Sequence, residues 1–215
     1  VQKRIAAACH RSQRSPEEVT LVAVSKGVDI ALIEAAYNAG LRHFGENRVQ
    51  EGKEKIPKLS GLEGITWHMI GHLQSNKVKT AGELFQIIHS VDSVKLAESI
   101  SHWVSNKGHV DSPIFMQVNI AGEASKQGFP VSEVVPAFKA ISRLPGIQIT
   151  GLMAIAPMAV NPEEARPVFH RLRQLRDELG LHELSMGMTD DFEVAIEEGA
   201  TLLRIGRAIF ERTNK

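Results

Sequence analysis

Short apolar runs recur along the chain, each bounded by polar or turn-forming residues and each followed by a segment with helical features. The first is LVAVSK at 21–26. Behind it Ile30, Ile33, Ala36 and Tyr37 repeat at the spacing of one helix face, with Asp29 placed as the cap and Gly40 as the stop. HFGEN at 43–47, ITWHMIG at 65–71, FQIIHSV at 85–91 and PIFMQVNI at 113–120 read as four further strands, each ahead of a helix-like segment. IQITGLMAI at 147–155, LSMGM at 184–188 and LLRIGRAIF at 202–210 complete the series. Between the last two, Thr189 is expected to cap a helix through Glu198, with Asp190 and Asp191 suiting its positive end and Gly199 ending it. Eight such repeats predict an α/β fold, a single (β/α)8 TIM barrel over residues 1–215, with a doubly wound open sheet as the alternative.

Composition narrows the function. With 215 residues and 43% hydrophobic content, the chain can bury one sizeable core. Lys+Arg and Asp+Glu are equal at 25 each, which argues against recruitment of nucleic acid or an anionic membrane. The single cysteine, Cys9, forms no intramolecular disulfide and suits a reducing compartment, so the cytoplasm is expected. No apolar run is long enough to span a bilayer, and the opening residues are too polar for a signal-peptide core. The chain begins at Val1 rather than at methionine, so a short N-terminal piece is expected to be missing.

In a barrel the site is built at the carboxyl ends of the strands, so polar residues that end strands are the candidates. They are Lys26; Glu46 and Asn47; His72 to Lys77; Ser90 and Asp92; Asn119 with Lys126; Met153; Ser185 and Thr189; and Arg204 with Gly206. Taken singly, each has a plain structural reading as a cap, a turn or a packed side chain. Lys26 is the most pointed, because an amine desolvated at a strand exit favours its neutral, nucleophilic form and suits Schiff-base chemistry. Arg204 stands among Leu202, Leu203 and Ile205, where its guanidinium needs an acceptor. Gly206 allows close approach of a ligand in the turn after the last strand, where barrels often hold phosphate. Asp190 and Asp191 would repel a phosphate seated squarely on their helix. The phosphate is therefore expected to lean towards Gly206 and Arg207, touching Thr189 or Ser185 only through side-chain oxygens. A lysine opposite a phosphate cradle points to pyridoxal 5'-phosphate, with Arg204 facing the ring nitrogen and keeping the pyridine neutral.

LVAVSK, HFGENRVQE, WHMIGHLQSNK, IHSVD, GLMAI, LSMGMTDDFEVAIEEGA and RIGRAIF, in this order and over nearly the whole chain, resemble the pyridoxal phosphate homeostasis protein family. The resemblance implies a barrel like the N-terminal domain of alanine racemase, with the cofactor as an internal aldimine on Lys26. It also implies cofactor contacts from Asn47, Arg204, the MGMT segment with Thr189, and Gly206 with its successor. Thr189 stands where the family more often has serine, and Arg207 where it has a small or hydroxyl residue. The implied role is vitamin B6 homeostasis rather than catalysis. Racemisation needs two opposed acid/base groups, and the one tyrosine, Tyr37, falls in the first helix pattern. A monomer is expected, with apo forms of pyridoxal phosphate enzymes as protein partners. The enzymatic alternative is a weak racemase or a lysine-dependent aldolase, with His68 or His72 as acid/base. A third reading is a partner-binding protein that uses its cofactor as a sensor ligand.

Overall fold

The computed structural model describes residues 1–108, 112–123 and 126–211. Its strands are β1 (Thr20–Val24), β2 (His43–Glu46), β3 (Thr66–Met69), β4 (Ile87–Val91), β5 (Ser112–Asn119), β6 (Phe129–Pro130), β7 (Ile147–Met153), β8 (Glu183–Ser185) and β9 (Leu202–Ile205). All pairings are parallel, in the order β4-β3-β2-β1-β9-β8-β7-β5-β6, and a β4–β5 pairing closes the ring. The two-residue β6 only extends the edge of β5. The expected barrel is therefore present, and the open-sheet alternative is excluded by that closure.

The connecting helices are α2 (Ile30–Asn38), α3 (Val49–Lys55), α4 (Val78–Leu84), α5 (Val94–Lys107), α6 (Val134–Ile141), α7 (Arg166–Glu178), α8 (Phe192–Glu197) and α9 (Arg207–Phe210). Ahead of β1 lies α1 (Gln2–Arg11), a helix outside the predicted repeats; Ile5, Ala8 and Cys9 bury one face of it. Alternation along the strands sorts residues between two cores. Ala23 and Phe44 face the helices, while Val22, Phe115, Met153 and Leu202 pack together inside the barrel.

Two local expectations are corrected. The eighth run stops as a strand at Ile205, and Arg207–Phe210 turns into α9, because an apolar run does not by itself distinguish a strand from a short helix. Thr189 caps no helix: α8 begins at Phe192, and Asp191 at its N-cap accepts instead from the Met188 amide at 2.6 Å.

Candidate functional site

Lys26 stands just past β1 and is exposed, so the desolvated amine expected from its strand-end position is not found. What is fixed is its backbone. Lys55 Nζ donates to the Ser25 carbonyl at 2.7 Å, and the Gly27 amide donates to Glu51 Oε2 at 2.8 Å. Lys55 and Glu51 lie one turn apart on α3 and pair at 3.1 Å, so one helix clamps both peptide groups beside Lys26. Lys55 also donates to Glu46 Oε1 at 3.0 Å, and the Ser25 hydroxyl donates to the same oxygen at 2.8 Å. Glu46 is fully buried and, among the described residues, its Oε2 has no partner. Burial pushes its carboxyl above the usual range, against the opposing pull of Lys55 and Ser25. Glu46 was visible as a strand-end residue, but Glu51 and Lys55 were missed; their i, i+4 charge pair was the available signal.

Lys26, Gly206 and Arg207 line one open cleft with Val24, Val28 and Phe210. Gly206 is close against β1, since an added Cβ would lie 3.3 Å from both Val24 Cβ and the Val24 carbonyl oxygen. Arg207 is exposed and its guanidinium is paired with Asp190, which offsets the acidic charge expected to repel a phosphate there. Thr189 is half-buried in the same turn. Asn47 is half-buried at the rim, where the chain after β3 presses on it: a Cβ at Gly71 would fall 2.2 Å from the Asn47 carbonyl oxygen. His72 at that rim is bonded to Asp92 at 3.0 Å. Asn119 ties its loop by donating to the carbonyls of Glu123 and Lys126.

Arg204 is almost wholly buried, and the acceptors it needed are Ser185 Oγ at 2.6 Å and the Ala154 carbonyl at 2.9 Å. Desolvation lowers its pKa to about 10, so it stays charged at neutral pH. The Ser185 hydroxyl is fully buried between Arg204 and His89. Met153 is likewise packed inside the barrel with Phe115 and Val22. His68, weighed as a rim acid/base, lies inside the barrel, bonded to His43 at 3.0 Å and His89 at 2.8 Å. Burial holds its pKa at about 3, which leaves it neutral.

Fold and site together define a closed parallel barrel with the Lys26 amine exposed beside Gly206 and Arg207 at its carboxyl mouth. The alanine racemase N-terminal domain family model matches residues 3–213. A pyridoxal phosphate homeostasis protein of Aquifex aeolicus is 43% identical over 98% of this chain and 94% of that protein. One from Pseudomonas aeruginosa is 42% identical over 98% of this chain and 91% of that protein. Among solved structures, PipY of Synechococcus elongatus with PLP bound is 40% identical over 97% of this chain and 99% of that chain, with a TM-score of 0.86. Alanine racemase of Clostridium difficile shares the fold at a TM-score of 0.74 and 11% identity, covering 100% of this chain and 57% of that one. The chain belongs to the pyridoxal phosphate homeostasis protein family, within the alanine racemase N-terminal domain class.

Proposed function

We propose that this protein binds pyridoxal 5'-phosphate at the carboxyl mouth of the barrel and serves vitamin B6 homeostasis. The observation that carries the reading is Lys26, exposed in one cleft with Gly206 while α3 clamps its backbone on both sides. Lys26 would hold the cofactor through its amine, the group that could condense with an aldehyde with loss of water. Such a cofactor supplies an electron sink, and an arginine at the ring nitrogen weakens that sink because it does not surrender a proton. Asn47, at the rim, would border the ring. Thr189 and the main chain at Gly206 and Arg207 would take the phosphate, with the Arg207 side chain already engaged by Asp190.

The reading is of a cofactor carrier rather than an enzyme, working as a monomer in the cytoplasm and passing its cargo to apo-enzymes. Tyr37 supports it: this one tyrosine lies on α2, with its hydroxyl donating to the Glu63 carbonyl at 2.9 Å, and offers no second base at the rim. The test is the visible spectrum of the loaded protein before and after borohydride reduction, with mapping of the modified peptide. Lys26→Ala should abolish the yellow band while the circular dichroism of the barrel is kept. A persistent band with the label on another lysine would remove Lys26. Incubated with L-alanine, the loaded protein should form no more D-isomer than free cofactor does; saturable racemisation lost in Lys26→Ala would make it an enzyme.

A further inference from the structure

Inside the barrel, where branched aliphatic side chains normally fill the layers, a polar string crosses from one strand to the next. His43 Nδ1 meets His68 Nε2 at 3.0 Å, His68 Nδ1 meets His89 Nε2 at 2.8 Å, and His89 Nδ1 meets Ser185 Oγ at 2.8 Å. Arg204 closes it, with Nη1 donating to Ser185 Oγ at 2.6 Å. His68, His89 and Ser185 are fully buried, and His43 is half-buried at the start of β2. Phe115 stacks on His89 with ring centroids 4.5 Å apart and packs in turn on Val22, Met153 and Leu202, so this wall offers no substitute partners.

The string has a direction. Arg204 can only donate, so Ser185 accepts from it and has its own proton to place. Among the described residues His89 is the other partner of that hydroxyl. Ser185 therefore donates to His89 Nδ1, His89 carries its proton on Nε2 and donates to His68 Nδ1, and His68 Nε2–H donates to His43 Nδ1. The reverse order would leave the Ser185 proton buried without an acceptor, at a cost of about 1–3 kcal/mol. Burial keeps both inner imidazoles neutral, His68 at about 3 and His89 well below the usual value. A proton passing along the string would have to charge His68, so the string orients rather than conducts.

We propose that Ser185, His89 and His68 are positioning residues for Arg204, holding its guanidinium in one orientation against the ring nitrogen of the bound cofactor. This rests on the cofactor reading above. Two of the guanidinium's donors are fixed by Ser185 and Ala154, which sets the plane of the group.

The test has two arms. In the cofactor-free protein, nitrogen-15 spectra of the histidine rings should show His43, His68 and His89 as Nε2–H tautomers, with His68 and His89 not titrating between about pH 5 and 8. An Nδ1–H form at His68 or His89 overturns the string whether or not the cofactor binds. In the loaded protein, Ser185→Ala should shift the visible band and speed cofactor release about tenfold, the loss of one charge-assisted bond. His68→Gln, which keeps hydrogen-bonding capacity, should fall nearer to wild type than His68→Leu. A folded Ser185→Ala protein with an unchanged band and release rate overturns the positioning role. If no cofactor binds to wild type, the cofactor reading fails while the tautomer result still decides the string.

Discussion

Lys26 is placed by the peptide groups on either side of it, and both are held by α3. The key residue in that clamp is Lys55, which faces Glu46, Glu51 and the Ser25 carbonyl at once. Removing it strands a fully buried carboxylate that already has one oxygen without a partner. Lys55→Met should therefore lower stability by about 3 kcal/mol, the lower end for breaking a buried pair because Lys55 keeps some contact with solvent. Adding Glu46→Gln removes the stranded charge and should recover most of the loss. Urea denaturation of both variants checks this: equal midpoints at equal m-value for the single and double variants would show that Glu46 is not the source of the cost. Arg204 is the complementary case at this scale. Arg204→Leu leaves Ser185 and the Ala154 carbonyl without their donor, and cofactor affinity should fall about tenfold while the Lys26 linkage still forms. If Arg204 only braced β9, the cofactor-free protein would melt earlier and the affinity of its folded fraction would not change.

At the scale of elements, β7 and β8 show how tightly the ring is drawn. A Cβ on Gly151 would lie 2.1 Å from the Glu183 carbonyl oxygen, an atom of the neighbouring strand's backbone that cannot swing aside. Gly151→Ala should cost about 1–3 kcal/mol and speed amide exchange at Leu184 and Ser185, with a wild-type exchange pattern speaking against it. The eight barrel strands were legible beforehand, because buried parallel strands read as brief apolar runs and every predicted run overlaps an observed strand. The rim residues Lys26, Asn47, Gly206 and Arg207 were legible for the same reason, since they follow those runs. What stayed hidden depends on closeness between distant segments. The clamp joins β1 to α3, the Ser185–Arg204 bond joins β8 to β9, and α1 is defined by its packing on α8. The histidine string left a fainter trace: His43, His68 and His89 fall on consecutive strands β2, β3 and β4 at inward positions, a parity that becomes visible only once register is known.

For the molecule as a whole, burying imidazoles in the barrel ties stability to pH. Burial depresses the pKa of His43, takes His68 to about 3 and holds His89 well below its usual value. Unfolding releases these rings to ordinary values near 6.5, where they take up protons that the folded state refuses. Below about pH 6.5 the unfolded chain thus binds more protons, and stability falls as pH falls, by up to roughly 1.4 kcal/mol per pH unit for each buried ring. The contribution is fully present above that pH. Glu46, Glu183 and Asp191 work in the opposite sense, because burial raises their carboxyls and the folded state then binds protons that the unfolded chain has released. Their window opens upward from the ordinary carboxylate range, so the wild-type curve alone mixes the two effects. Comparing slopes separates them: urea stability of wild type and of His68→Gln, measured between about pH 5 and 7, should differ by close to one histidine's worth of slope once the unfolded ring is charged. His89→Gln should flatten the curve by a similar amount, whatever either variant loses in absolute stability from imperfect packing. Parallel curves for wild type and both variants would mean that the rings take up protons in the folded state, and the neutral interior string would fall with them.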